Sequence, residues 1–154
     1  MFLLSMLISM KVSAQNNRNY IIETTVKDSG KTTPSQLIGL PVNQVNRKVT
    51  HLDGLGRPVQ VIDWQASPGG NDLVQPIGYD FARREARKYL PYSSTINDGR
   101  YKSDALLSDN YGVMKYYTNP PSGVTPNIYP FSETIYEPSP LNRVKEQGAP
   151  GAIW

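Results

Sequence analysis

The sequence predicts a mainly β protein, made of antiparallel hairpins with one short helix at about residues 103–117. Three observations carry this. Proline and glycine number 13 and 12 among 154 residues, and inside a helix they cost roughly 3 and 1 kcal/mol each. Ten tyrosines, two tryptophans and three phenylalanines supply aromatic area that suits a half-buried pleated surface. Short β-branched runs alternate with turn sequences, the clearest being Asp53-Gly54-Leu55-Gly56, where glycine meets the positive φ a tight turn demands.

The elements follow in order. Tyr20 to Val26 is rich in Ile, Thr and Val and reads as a strand. Asp28-Ser29-Gly30-Lys31 is a turn, and Thr32 to Pro41 a loop or irregular edge. Val45 to Leu52 is a second strand, with Val45, Val49 and His51 on one side. After the Asp53–Gly56 turn, Arg57 to Trp64 runs back, Val59 and Val61 facing one way and Ile62 and Trp64 the other. Ser67 to Asp72 turns again, Leu73 to Tyr79 is a strand, Asp80-Phe81-Ala82-Arg83 a tight connection, and Arg84 to Tyr92 the return. Pro91 closes that strand, because proline cannot donate to a ladder.

Ser103 is placed to cap the helix, with Asp104 in its first turn. Leu107, Tyr111 and Met114 then recur at helical spacing, and Leu106 and Tyr117 adjoin them. Asn119 to Pro126 is a loop, Tyr129 to Glu137 alternates as a strand, and Ser139-Pro140-Leu141-Asn142 turns into Arg143 to Gln147.

Residues 1–14 read as a signal peptide. Phe2 to Met10 is an apolar run of secretory length, too short for a bilayer span of about 20 residues, and Val12-Ser13-Ala14 places cleavage near Ala14-Gln15. The mature chain is therefore expected to be exported, secreted or at the cell surface, with no membrane span. Residues 15–48 form an N-terminal strand and loop region, and 49–154 a hairpin region expected to continue beyond Trp154.

Charge and composition exclude several functions. The formal net charge is +3, too small for an electrostatic case for nucleic acid. The one dense basic group, Arg83, Arg84, Arg87 and Lys88, reads as a solvated strand face. With no cysteine, there are no disulfides, thiol nucleophiles or thiolate metal sites. His51, the single histidine, lacks a serine or cysteine partner at motif spacing and reads as a structural or half-exposed side chain. Gly54-Leu55-Gly56 precedes a strand, whereas a dinucleotide fingerprint opens a helix. Asn97-Asp98-Gly99 with Asp104 and Asp109 matches no calcium loop. No catalytic residue, metal site or cofactor is expected, and the chain is not read as an enzyme. Tyrosines cluster in the middle and later chain, at 89, 92, 101, 111, 116, 117 and 129. Most are expected to pack, while Tyr101, Tyr116 and Tyr117 are the candidates for binding a glycan or a surface protein.

One pattern recurs. Leu52-Asp53 with Arg57 aligns with Tyr79-Asp80 and Arg84, and a looser copy joins Tyr136-Glu137 to Asn142-Arg143 across a longer turn. The acid can bond turn amides, Gly54 and Gly56 permit the turn, and the arginine opens the return strand where it can meet a carboxylate. These are the structural residues of the repeat.

Tyr-Asp followed by Gly-Arg resembles the YD repeat of RHS proteins. The wider string is more specific: Asp53-Gly54-Leu55-Gly56-Arg57-Pro58, Val74-Gln75-Pro76, Tyr89-Leu90-Pro91-Tyr92, Ser132-Glu133-Thr134 and Ser139-Pro140-Leu141-Asn142-Arg143-Val144. Together these resemble the N-terminal domain of large secreted RHS-repeat proteins of the Bacteroidota, catalogued as domain of unknown function 6443, with 20–154 as one family domain. The resemblance implies YD-type hairpins and further RHS/YD repeats downstream in the same polypeptide as partners. It implies a non-catalytic structural or interaction role, starting or capping a β-shell that can house a toxin or act in adhesion. The alternative is a cell-surface glycan- or protein-binding module using exposed tyrosine.

Overall fold

The computed structural model describes residues 18–27 and 29–151; the expected signal peptide lies outside them. The chain is mainly β, with strands β1 (Asn19–Val26), β2 (Val45–Leu52), β3 (Pro58–Asp63), β4 (Asp72–Tyr79), β5 (Glu85–Tyr89), β6 (Tyr92–Ser94), β7 (Phe131–Tyr136) and β8 (Val144–Gly148), and one short helix, α1 (Gly112–Thr118). It divides into two compact units. One runs to Leu73 and includes Ser94–Tyr101; the other comprises Val74–Ser93 and the chain from Lys102 onward.

In the first unit β2 is the central strand. It pairs antiparallel with β1 from Asn19↔Leu52 to Val26↔Val45, and with β3 from Lys48↔Asp63, with a bulge at His51/Leu52. The alternation read from sequence is the alternation observed. Val45, Val49 and His51 are buried on one face of β2, and Gln60 and Ile62 on β3, as a period of two requires. In the predicted loop, Pro34–Leu37 forms one 3-10 turn that buries Leu37. The Gln36 side chain accepts from the Thr32 and Thr33 amides, and Arg47 donates to the Leu37 and Leu40 carbonyls.

The segment 94–101 is fastened by polar groups. Buried Asp72 accepts the Gln65 amide at 3.0 Å and the Gly99 amide at 2.8 Å. The Trp64 indole donates to the Asn97 carbonyl at 2.9 Å, and a Cβ on Gly99 would stand 3.2 Å from the Trp64 ring. His51 is fully buried, its Nε2 3.1 Å from the Gly99 carbonyl, between the rings of Tyr20 and Tyr101. Of the two placements expected for it, the structural one holds.

In the second unit β5 pairs antiparallel with β4 (Ile77↔Lys88) and β7 (Tyr89↔Phe131), and β7 with β8 (Glu133↔Gly148); β6 pairs with β4. Val74, Pro76, Tyr92, Ala105, Val113 and Pro130 are buried in it, together with the charged Lys102. Two expectations fail here. The strand expected over Arg84 to Tyr92 stops at Tyr89, and Tyr92 opens β6 instead. The Leu90 amide donates to Pro130 and Pro91 has no N–H, so the ladder ends and the chain changes neighbour.

The helix expected over 103–117 is only Gly112–Thr118, with Tyr111 at its N-cap. Residues 103–111 are successive turns, closed by the Leu107 amide on Asp104 and the Tyr111 amide on Ser108. Gly112 breaks the helix at φ +49°, where its backbone lies so close to Ala105 that a Cβ would overlap the Ala105 carbonyl. Leu106, Leu107 and Tyr111, three of the five residues of the expected apolar stripe, are exposed.

Candidate functional site

The repeated acid–arginine pairs make three turns of one design. In the first, the Asp53 amide donates to the Arg57 carbonyl (2.9 Å) and the Gly56 amide to Asp53 (3.0 Å). Asp53 Oδ1 accepts the Leu55 and Arg57 amides, and Oδ2 accepts Arg57 Nε at 2.8 Å. The carboxylate closes the turn on one oxygen and clamps the arginine on the other. In the second, the Asp80 amide donates to Arg84 (2.9 Å) and Arg83 to Asp80 (2.9 Å). Asp80 Oδ1 accepts the Arg84 amide and Oδ2 its Nε at 2.8 Å.

The third turn reaches the same result by dividing the work. The Glu137 amide donates to the Arg143 carbonyl (2.9 Å), and the Glu137 carboxylate accepts Arg143 Nε at 2.8 Å. Ser139, two residues on, receives the Leu141 amide on its hydroxyl, which itself donates to the Glu137 carboxylate. One aspartate is replaced by a glutamate that holds the arginine and a serine that closes the turn. In every case the residue before the arginine has positive φ: Gly56 at 78°, Arg83 at 63°, Asn142 at 54°. Arginine tolerates that region at a cost of about 1 kcal/mol, so Arg83 stands where glycine does in the first turn. Sequence reading missed Ser139 as part of the clasp; its signal is the Ser-x-x-Asn spacing ahead of Arg143.

The bonds set the electrostatics. All three carboxyls titrate below the ordinary carboxylate range. For Asp53 and Asp80 the leading cause is the backbone N–H of Arg57 or Arg84, ahead of the arginine side chain; for Glu137 it is the Arg143 side chain, then Ser139.

Arg84 reaches further than its own turn. Its guanidinium lies 4.5 Å from the Tyr136 ring centroid, and Nη1 donates to the Glu137 carbonyl (3.3 Å) and the Asn142 side chain (3.4 Å). The second turn is thus stitched to the third by cation–π and hydrogen-bond contacts. The basic group read as a solvated face is divided by this geometry. Arg87 lies over the Phe131 ring and pairs with Glu133 at 2.8 Å, which raises its pKa, whereas Lys88 is exposed.

Of the three candidate binding tyrosines, Tyr101 belongs to the first unit, whereas Tyr116 and Tyr117 stand together in the second. Tyr101 stands edge-on to His51 beneath the Arg18 guanidinium. Tyr116 packs on Tyr92 and Tyr117. Tyr117 donates its hydroxyl to the Pro91 carbonyl at 2.7 Å, and burial raises its pKa. A different surface of the second unit is concave: a groove of about 640 Å³ runs over β5, β7 and β8, lined by Tyr129, Phe131, Glu133, Ile135, Glu146 and Gln147. Among the described residues no three histidine, cysteine or acidic side chains converge as a metal site would require, and no helix is long and apolar enough to cross a membrane.

Residues 23–154 match the family described as Domain of unknown function (DUF6443). The chain belongs to the DUF6443 family. The match takes in all three clasps, β2 to β8 and the second half of β1. No curated protein and no solved structure matches the chain.

Proposed function

We propose that this chain is a non-catalytic structural module: the exported N-terminal domain of an RHS-repeat protein of the Bacteroidota, which starts or caps a β-shell able to house a toxin or act in adhesion. The observation that supports this most is Arg84, whose side chain belongs to one hairpin turn and is satisfied by the next. A fold built this way grows by adding hairpins, each supplying the ring and carbonyl that the preceding arginine needs. The acid–arginine repeat is then a joint rather than a catalytic pair, since each carboxylate is committed to its arginine and to the turn, through backbone amides in the two aspartate clasps and through Ser139 in the third.

The test is to express the chain with the polypeptide that its gene encodes downstream and compare amide exchange with residues 1–154 alone. Further hairpins slow exchange in β8; a stop codon after Trp154, or unchanged exchange, overturns the reading.

The glycan- or protein-binding alternative is favoured by one feature, the groove, where two aromatic rings stand beside carboxylate and amide groups suited to a sugar's hydroxyls. Tyrosine fluorescence titrated against a glycan panel reads it directly. A shift abolished by Tyr129→Ala supports binding there, and no response across the panel counts against it.

A further inference from the structure

β8 is an edge strand: among the described residues it pairs with β7 alone, and four of its five residues are exposed. An open edge of this kind is a template for another strand, and the chemistry of the strand it accepts is written in the neighbouring pair. The register of β5 on β7 sets Arg87 opposite Glu133 and Tyr89 opposite Phe131, and continued outward it sets Arg84 opposite Tyr136. Arg84 immediately precedes β5, Tyr136 ends β7, and the ring covers the guanidinium while the following turn supplies two acceptors. That cover leaves the Arg84 side chain 16% exposed.

Arg143 holds the same position immediately before β8. Its Nε is taken by Glu137 as Arg84's is by Asp80, yet its side chain is 70% exposed, and its two Nη groups donate to nothing among the described residues. Tyr136 cannot serve it, being already under Arg84.

We infer that Arg143 and the outer edge of β8 form a socket for one kind of partner: an antiparallel strand that ends in an aromatic residue and runs straight into an acid-headed turn. The ring lies on the Arg143 guanidinium, and the turn's first carbonyl accepts from Nη. This deepens the structural reading above by naming what the edge selects and which residue selects it. The aromatic at the strand's last position is the determinant. Leu52 fills that place in the first turn, while Tyr79 and Tyr136 fill it in the second and third, so aromatic and aliphatic ends can be distinguished with this chain's own hairpins.

The experiment extends the full chain past Trp154 by a Gly/Ser linker and a second copy of residues 131–148, which holds the added hairpin at millimolar effective concentration. Amide exchange is followed in Val144–Gly148. The socket predicts exchange slowed by at least about tenfold, as expected when edge amides gain a ladder partner. Tyr136→Ala in the added copy alone, or Arg143→Lys in the host, removes most of that protection, and Ser132→Ala in the added copy keeps it. Equal protection with the Tyr136→Ala copy overturns the socket and leaves an unselective edge, compatible with the structural reading. No protection from any added copy also overturns it. If the natural downstream polypeptide still protects β8 in that case, the structural reading survives by itself.

Discussion

Arg84 and Arg143 are the same residue type at the same point of two turns, and they differ in what surrounds them. Arg84 is held by Asp80, Tyr136, Glu137 and Asn142; Arg143 is held by Glu137 alone. Arg84→Ala is therefore expected to cost about 1–2 kcal/mol, the scale of lost charge-assisted bonds and a lost ring contact, in urea denaturation. Arg143→Ala should change the same measurement much less. Phe81, 97% exposed at the tip of the second turn, is the opposite case: Phe81→Ser should leave stability within about 0.5 kcal/mol.

The carboxylates give a pH dependence of definite sign. Folding lowers the pKa of Asp53, Asp80 and Glu137, so their contribution is complete above the unfolded value of about 4 and is lost as pH falls through the folded values. Thermal midpoints should be insensitive to these groups above about pH 5 and fall on acidification below about pH 4. Asp80→Asn should lower the midpoint at neutral pH and shrink that acid-side fall. The acid and arginine of each clasp stand in the sequence in plain order. Ser139 does not, because its role depends on Glu137 being one methylene longer and the turn two residues longer than in the aspartate clasps.

Among the elements, the hairpins were legible because their causes are local: a turn with its positive-φ residue, and flanks alternating with a period of two. The helix was legible only as to existence. Its apolar spacing was present over 103–117, yet Gly112 turns left-handed against the Ala105 backbone, and the first half of the stripe stays in turns. That contact makes a sharp prediction. Gly112→Ala places a methyl group where the Ala105 carbonyl stands, at a φ that L residues avoid, and should cost more than about 2 kcal/mol. Gly123→Ala, at φ +88° with nothing within 4 Å, should cost about 1 kcal/mol from the backbone alone. Chemical denaturation of the two variants separates close approach from conformation.

Across the whole molecule, protection should follow pairing. β2 is paired along both edges and buries Val45, Val49 and His51, so its amides should exchange slowest. Those of β8, with one partner and an exposed surface, should exchange fastest among the strands, and amide exchange read by mass spectrometry checks the ranking.

By itself the sequence determined the β class, the turn positions, the buried alternation of β2 and the acid–arginine spacing. Each depends on residues within a few positions of one another, where backbone conformation and side-chain period act directly. Tertiary structure decided the rest. It drew Gly99 and Trp64 together around Asp72, stopped the helix against Ala105, and sent Tyr92 from β5 to β4. It also gave Arg84 its ring from a strand that begins more than forty residues later. Those outcomes depend on which surfaces meet in space, and a contact between distant segments leaves no period in the chain to read.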